Sequence, residues 1–194
     1  MTLMKALAAA VLYAATATIA NPLLAEPATT EELRAMRSGD MKKLLIHPKP
    51  KPAVNMKFIT KDDTPLTSAD FAGKTLLVNF WATWCAPCRK EMPQLNALQK
   101  EFGGDDFEVL TIATGRNTPD GIKRFFADAG VDSLPRHQDP KQALASQMGI
   151  FGLPITVIMD PEGREIARLR GDADWSSDSA KAIVQALIAG KADS

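Results

Sequence analysis

Thr75-Leu76-Leu77-Val78-Asn79-Phe80-Trp81-Ala82-Thr83-Trp84-Cys85-Ala86-Pro87-Cys88 decides how the chain is read. Residues 75–81 form an apolar run broken only by Asn79, which suits a strand buried on both faces. From Ala86 to about Phe102 the apolar residues change to helical spacing, with Pro87 tolerated in the first turn because its missing N–H has no helical partner there. The two cysteines therefore fall where a buried strand hands over to a helix. They are the only two in 194 residues. A staple gains most by closing a long loop, and this pair closes almost none. Two thiolates do not complete a zinc site, and His47 and His137 lack finger spacing. Reactivity is what remains.

Working outward, strands and helices alternate. Short strands are expected at Met56–Thr60, Phe107–Ala113 and Leu134–His137. Helices are expected from Thr118-Pro119, through Pro140 to Gly149, and from Ser177 to Ala189. Ile155–Met159, the turn Asp160-Pro161-Glu162-Gly163 and Glu165–Leu169 make a hairpin, and Thr67–Phe71 a capped helical turn. This is an α/β pattern, a central mixed sheet flanked by helices, starting near Asn55. Ahead of it, a Thr29–Glu32 capping box opens a helix of about four turns, weakened at Gly39. Residues 47–52 (His-Pro-Lys-Pro-Lys-Pro) favour a stiff extended linker. The expected organisation is thus 1–25 leader, 26–54 helix and linker, and 55–194 main domain.

Residues 1–25 carry Lys5, an uncharged run Ala6–Ala20 and small-residue cleavage ends at Ala20 or Ala25. As a helix that run spans roughly 22 Å, short of a hydrocarbon core of about 30 Å. Export is expected, with the leader a cleaved signal peptide or an N-terminal anchor, so membrane contact follows only from an uncleaved leader. Composition is ordinary for a globular protein, 45% hydrophobic and 24% charged, with zero formal net charge. Nothing global suggests a nucleic-acid partner, and Lys42, Lys43, Lys49, Lys51 and Lys57 read as a solvated stretch.

At a helix N-terminus, unpaired N–H groups favour a thiolate at Cys85. Cys88 returns to the same face one turn deeper, where it resolves a mixed disulfide formed by Cys85. No histidine stands between them, and Glu91, a turn beyond Cys88, resists thiolate formation if ionised. Both features lean toward a reductant. Leu153-Pro154, just before a β-rich run, marks a cis proline or a plain strand-initiating one. Trp84 is expected to cover the pair, Trp81 and Phe80 to be core, Met36, Met41 and Met148 to be packing, and both histidines to be incidental.

The run from Phe80 to Pro93 resembles the active-site segment of bacterial envelope thioredoxin-like reductases of the TlpA, ResA and CcmG type, and Gly152-Leu153-Pro154 resembles their cis-proline loop. The similarity covers about residues 55–190, and the run Gly39–Pro52 looks closest to the TlpA branch. The resemblance implies a thioredoxin fold with an extra helix–strand insertion near Thr118–Leu134. It implies that Cys85 and Cys88 cycle between dithiol and disulfide, that Glu91 tunes them, and that Pro154 lies against them. Backbone beside Leu153 and Pro154 would pair with substrate. Asn79 stands where ordinary thioredoxins carry a buried aspartate, removing that base.

Implied clients are periplasmic disulfide proteins, either apocytochrome c in cytochrome c maturation or copper-site proteins of an oxidase, with a membrane thiol electron donor and no cofactor beyond the cysteine pair. Two other readings compete. A copper chaperone using Cys85 and Cys88 would want a further His or Met near them. A thiol peroxidase would want a Pro and Thr pattern before its cysteine, where Trp84 stands instead.

Overall fold

The computed structural model describes residues 28–189; the expected leader lies outside them. Eight strands form one sheet in the order β1-β8-β7-β4-β5-β6-β2-β3. They are β1 (Leu45–Ile46), β2 (Lys57–Ile59), β3 (Pro65–Thr67), β4 (Thr75–Trp81), β5 (Phe107–Thr114), β6 (His137–Asp139), β7 (Ile155–Met159) and β8 (Glu165–Arg170). At the centre β4, buried at all seven residues, pairs parallel with β5 and antiparallel with β7.

The strand's two-residue period sends its side chains to two cores. Leu77 and Trp81 enter one with α2 (Ala86–Phe102), α3 (Pro119–Asp128) and α5 (Asp178–Ala189), through Met92, Leu95, Phe125, Phe126, Ile183 and Val184. Leu76, Val78 and Phe80 enter the other, covered by α4 (Ala143–Gln147) through Leu144 and Ala145, with Met56 and Phe58. No helix among the described residues is long and apolar enough to cross a membrane.

The N-terminal segment differs most from expectation. The Thr29–Glu32 capping box forms, but α1 (Thr30–Ala35) is only six residues long. Gly39, at φ +50°, turns the chain into a 3₁₀ segment, Gly39–Lys43. Ser179 secures this turn, its hydroxyl donating to the Met36 carbonyl and accepting the Ser38 N–H. Beyond it the proline-rich run is extended, yet it is not a free tether. β1 pairs with β8, and the N–H groups of His47 and Lys51 donate to the carbonyls of Ile166 and Glu165. Prolines 48, 50 and 52 lack that donor, which is why such a sequence fits a sheet edge and no interior strand. Leu33, Met41, Leu44 and Ile46 join the larger core, so residues 28–54 pack into one body with the rest.

Three smaller differences follow the same logic. β3 is a short strand, antiparallel to β2, that the sequence reading did not place. β6 begins at His137, where the Leu134–His137 stretch was expected to end. The histidines are not incidental: His137 is buried against Phe58, ring centroids 4.9 Å apart, and His47 is buried against Glu165.

Met41 tests the single-body reading. It is 1% exposed, so Met41→Ala should lower the free energy of unfolding by about 2–5 kcal/mol, measured by urea titration. A tether residue would leave the midpoint where it was.

Candidate active site

β4 delivers its C-terminal end to the mouth of α2. Thr83 is fixed there by Asn117, whose Oδ1 accepts from the Thr83 N–H at 2.8 Å and hydroxyl at 3.0 Å. Cys85 is the N-cap of α2, and its Sγ accepts the Cys88 N–H at 3.3 Å. Pro87 sits in the first turn, as expected. Cys85 and Cys88 are joined in a disulfide, their Cα atoms 5.3 Å apart. The two sulfurs differ in access: Cys85 is 6% exposed and Cys88 is sealed.

The Leu153–Pro154 peptide is cis and Pro154 is buried. A groove of about 610 Å³ opens beside Cys85, bounded by Trp84, Pro87, Ser146, Ile150, Phe151 and Leu153. Two of its walls are large exposed apolar residues, Trp84 at 65% and Phe151 at 91%. Trp84 is steadied by an Nε1–H donated to the Arg116 carbonyl at 3.3 Å.

Beneath the pair lies a carboxylate with almost no access to water. Glu91 is 1% exposed. Its Oε1 accepts from Asn79 Nδ2 at 2.6 Å, and its Oε2 from the Ala173 N–H at 3.3 Å and Trp175 Nε1 at 3.2 Å. Asn79 Nδ2 also donates to the Thr156 hydroxyl at 3.0 Å. Burial pushes the Glu91 carboxyl up, the three donors pull it back, and Asp172 adds to the rise; it comes to about 7. Below that pH Glu91 is mostly neutral, so the repulsion expected from its charge acts only above neutrality. Among the described residues no three His, Cys, Asp or Glu side chains gather as a metal site.

The structure thus brings together Cys85, Trp84, Pro87 and Leu153 around the groove, with Cys88 sealed behind Cys85, Pro154 buried next to Leu153, and Asn79 and Glu91 below. Sequence reasoning missed Trp175, Thr156 and Phe151. The only signal for Phe151 is an aromatic residue two positions before Leu153; Trp175 and Thr156 reach Glu91 or Asn79 through tertiary contact alone.

A family model described as Redoxin matches residues 48–185. The chain is 35% identical over 143 residues to the thiol:disulfide interchange protein HelX of Rhodobacter capsulatus, covering 73% of this chain and 77% of HelX. It is 30% identical over 103 residues to the thiol-disulfide oxidoreductase ResA of Bacillus cereus, covering 53% of this chain and 58% of ResA. Among solved structures, a thiol:disulfide interchange protein of the thioredoxin family from Chlorobium tepidum matches at TM-score 0.56 and 28% identity, covering 70% of this chain and 97% of that one. The fold is the thioredoxin fold.

Glu91 gives stability a pH dependence with a definite sign. Its pKa is raised on folding from the ordinary 4.5 to about 7, so the folded state binds more protons than the unfolded one between those values. Stability contributed by the neutral carboxyl is therefore full below 4.5 and lost as pH rises through 7, by about 3 kcal/mol at most. Oxidised Glu91→Gln protein should lack this loss. Denaturant titrations at pH 5 and pH 8 measure it, and parallel slopes for wild type and variant would contradict the assignment.

Proposed function

The chain belongs to the Redoxin family as a thiol:disulfide oxidoreductase, and from that premise we propose that it works as a reductase of specific proteins outside the cytoplasm. The observation that carries the reading is the unequal pair: Cys85 faces a groove with exposed apolar walls, and Cys88 is sealed behind it. In the reducing direction the Cys85 thiolate attacks a client disulfide. A mixed disulfide forms and one client sulfur leaves as a thiolate. Cys88, deprotonated, then attacks Cys85 Sγ, which releases the second client sulfur and closes the Cys85–Cys88 disulfide. Two electrons pass to the client, and a thiol donor must return them.

Helix α2 supports the first step, since its N-terminal N–H groups favour negative charge at Cys85. Glu91 tunes the pair from below, and Asn79 holds Glu91. Trp84, Leu153 and Pro154 receive the client. The absence of histidine between the cysteines, with an acidic group one turn on, supports a thiolate that is not strongly stabilised and hence a reducing poise.

Export rests on the leader-like residues 1–25, and placement in the TlpA branch on the run Gly39–Pro52. The clients that fit the resemblance are apocytochrome c or copper-site proteins of an oxidase, fed by a membrane thiol donor. A copper chaperone or peroxidase finds no specific support in the site.

The redox poise is measurable. Equilibration against glutathione should place the Cys85–Cys88 couple nearer the about −270 mV of thioredoxin than the about −120 mV of a strong oxidant. Cys85→Ser should abolish disulfide reduction, while Cys88→Ser should accumulate a mixed disulfide whose partner identifies the client. A potential above about −180 mV would make the protein a donor of disulfides and reverse the direction.

A further inference from the structure

A buried guanidinium is costly unless its donors are used. Arg168, on β8, is 7% exposed. Its Nε and Nη2 donate to the two carboxylate oxygens of Glu165 at 2.9 and 2.7 Å. Nη2 also donates to the Met148 carbonyl at 2.8 Å, and Nη1 to the Gly149 carbonyl at 3.4 Å. Glu165 is 4% exposed, with His47 Nε2 at 2.7 Å and Lys51 Nζ at 2.9 Å from its Oε1. Burial alone would raise its carboxyl; Arg168, His47 and Lys51 outweigh that and hold it at about 2. The cluster is therefore an ionised carboxylate gripping Arg168 from one side and the N-terminal edge from the other.

The two carbonyls that Arg168 holds lie at the C-terminal end of α4, where helical carbonyls lack partners and a cation is favoured. They open the segment that ends at the cis proline. Within it, among the described residues, the main chain of Phe151, Gly152 and Leu153 makes no hydrogen bond. At its start the Ile150 N–H also donates to the Ala145 carbonyl at 2.8 Å, and beyond Leu153 the segment is pinned again at Pro154, whose carbonyl accepts the Gly171 N–H at 3.0 Å. It thus offers unused backbone donors and acceptors beside Cys85, with Phe151 projecting into solvent, and Arg168 fixes where it starts.

We infer that Arg168, oriented by Glu165, is the positioning residue for the client-binding segment Phe151–Leu153, and that the His47–Lys51 edge acts on client binding through it. The inference rests on the reductase reading and concerns its substrate side: an extended polypeptide needs the segment in place, whereas a small disulfide needs only Cys85.

The test compares two substrates. Reduced protein is mixed in stopped flow with a short synthetic peptide closed by one disulfide, and separately with 2-hydroxyethyl disulfide. Arg168→Lys keeps a charge for Glu165 but cannot span both carbonyls. It should slow the peptide reaction about tenfold while leaving the 2-hydroxyethyl disulfide rate and the redox potential unchanged. Phe151→Ala should also slow the peptide, and the double variant should be no slower than the slower single, as expected for two residues acting through one segment. Should Arg168→Lys fail to fold, judged by circular dichroism, Glu165→Gln carries the same expectation. An unchanged peptide rate, equal slowing of both substrates, or multiplying effects in the double variant would each overturn the inference. Wild-type protein that leaves both disulfides oxidised would overturn the reductase reading, and the inference with it.

Discussion

A strand with all seven residues buried has no face to give to water, and the rest of this structure follows from covering it. β4 demands a helical layer on each side and a strand on each edge. Its period of two then assigns Leu77 and Trp81 to one core and Leu76, Val78 and Phe80 to the other. Because the chain leaves that strand straight into α2, the N-cap of the helix falls where the sheet ends. Cys85 is placed by this geometry before any chemistry is asked of it.

The same burial makes polar residues under the strand end expensive: the Asn79 amide nitrogen is matched, whereas its Oδ1 and Trp81 Nε1 have no partner among the described residues. Asn79 alternates inward with Leu77 and Trp81 and can only be accommodated by meeting another polar group. Glu91 supplies it, one turn after Cys88 on the face of α2 that also carries Met92 and Leu95. Trp175 and the Ala173 main chain complete the set from the approach to α5. Three donors do not fully replace water, which is why burial prevails and the Glu91 proton leaves only near neutral pH.

Elements whose own residues bury a periodic face were legible in the sequence: β4, α2, β7 and α5 stand where the apolar spacing places them. Elements held by main-chain pairing to distant partners were not. His137-Gln138-Asp139 has no apolar alternation, because β6 is defined by hydrogen bonding to β5 and β2. Residues 47–52 look like a linker because prolines forbid an interior strand, and an edge strand obeys the same prohibition. The cysteine pair and the cis proline were visible as local signals. The partners of Glu91, the cluster around Glu165 and the exposure of Phe151 are tertiary facts that no spacing encodes.

Chemistry of this kind selects its substrates weakly, since any accessible disulfide sulfur can be attacked by a thiolate. Selectivity must come from what surrounds the attacking atom. Here Cys88 is sealed and Cys85 barely reaches the surface, so a client sulfur has to be brought down into the groove between Trp84 and Phe151. A rigid folded surface would meet those two exposed side chains first. A flexible chain can pass between them and satisfy the unused main-chain groups of residues 151–153 as it does so. On the proposed reading, this groove therefore suits a disulfide that lies in an unfolded or extended stretch of its client.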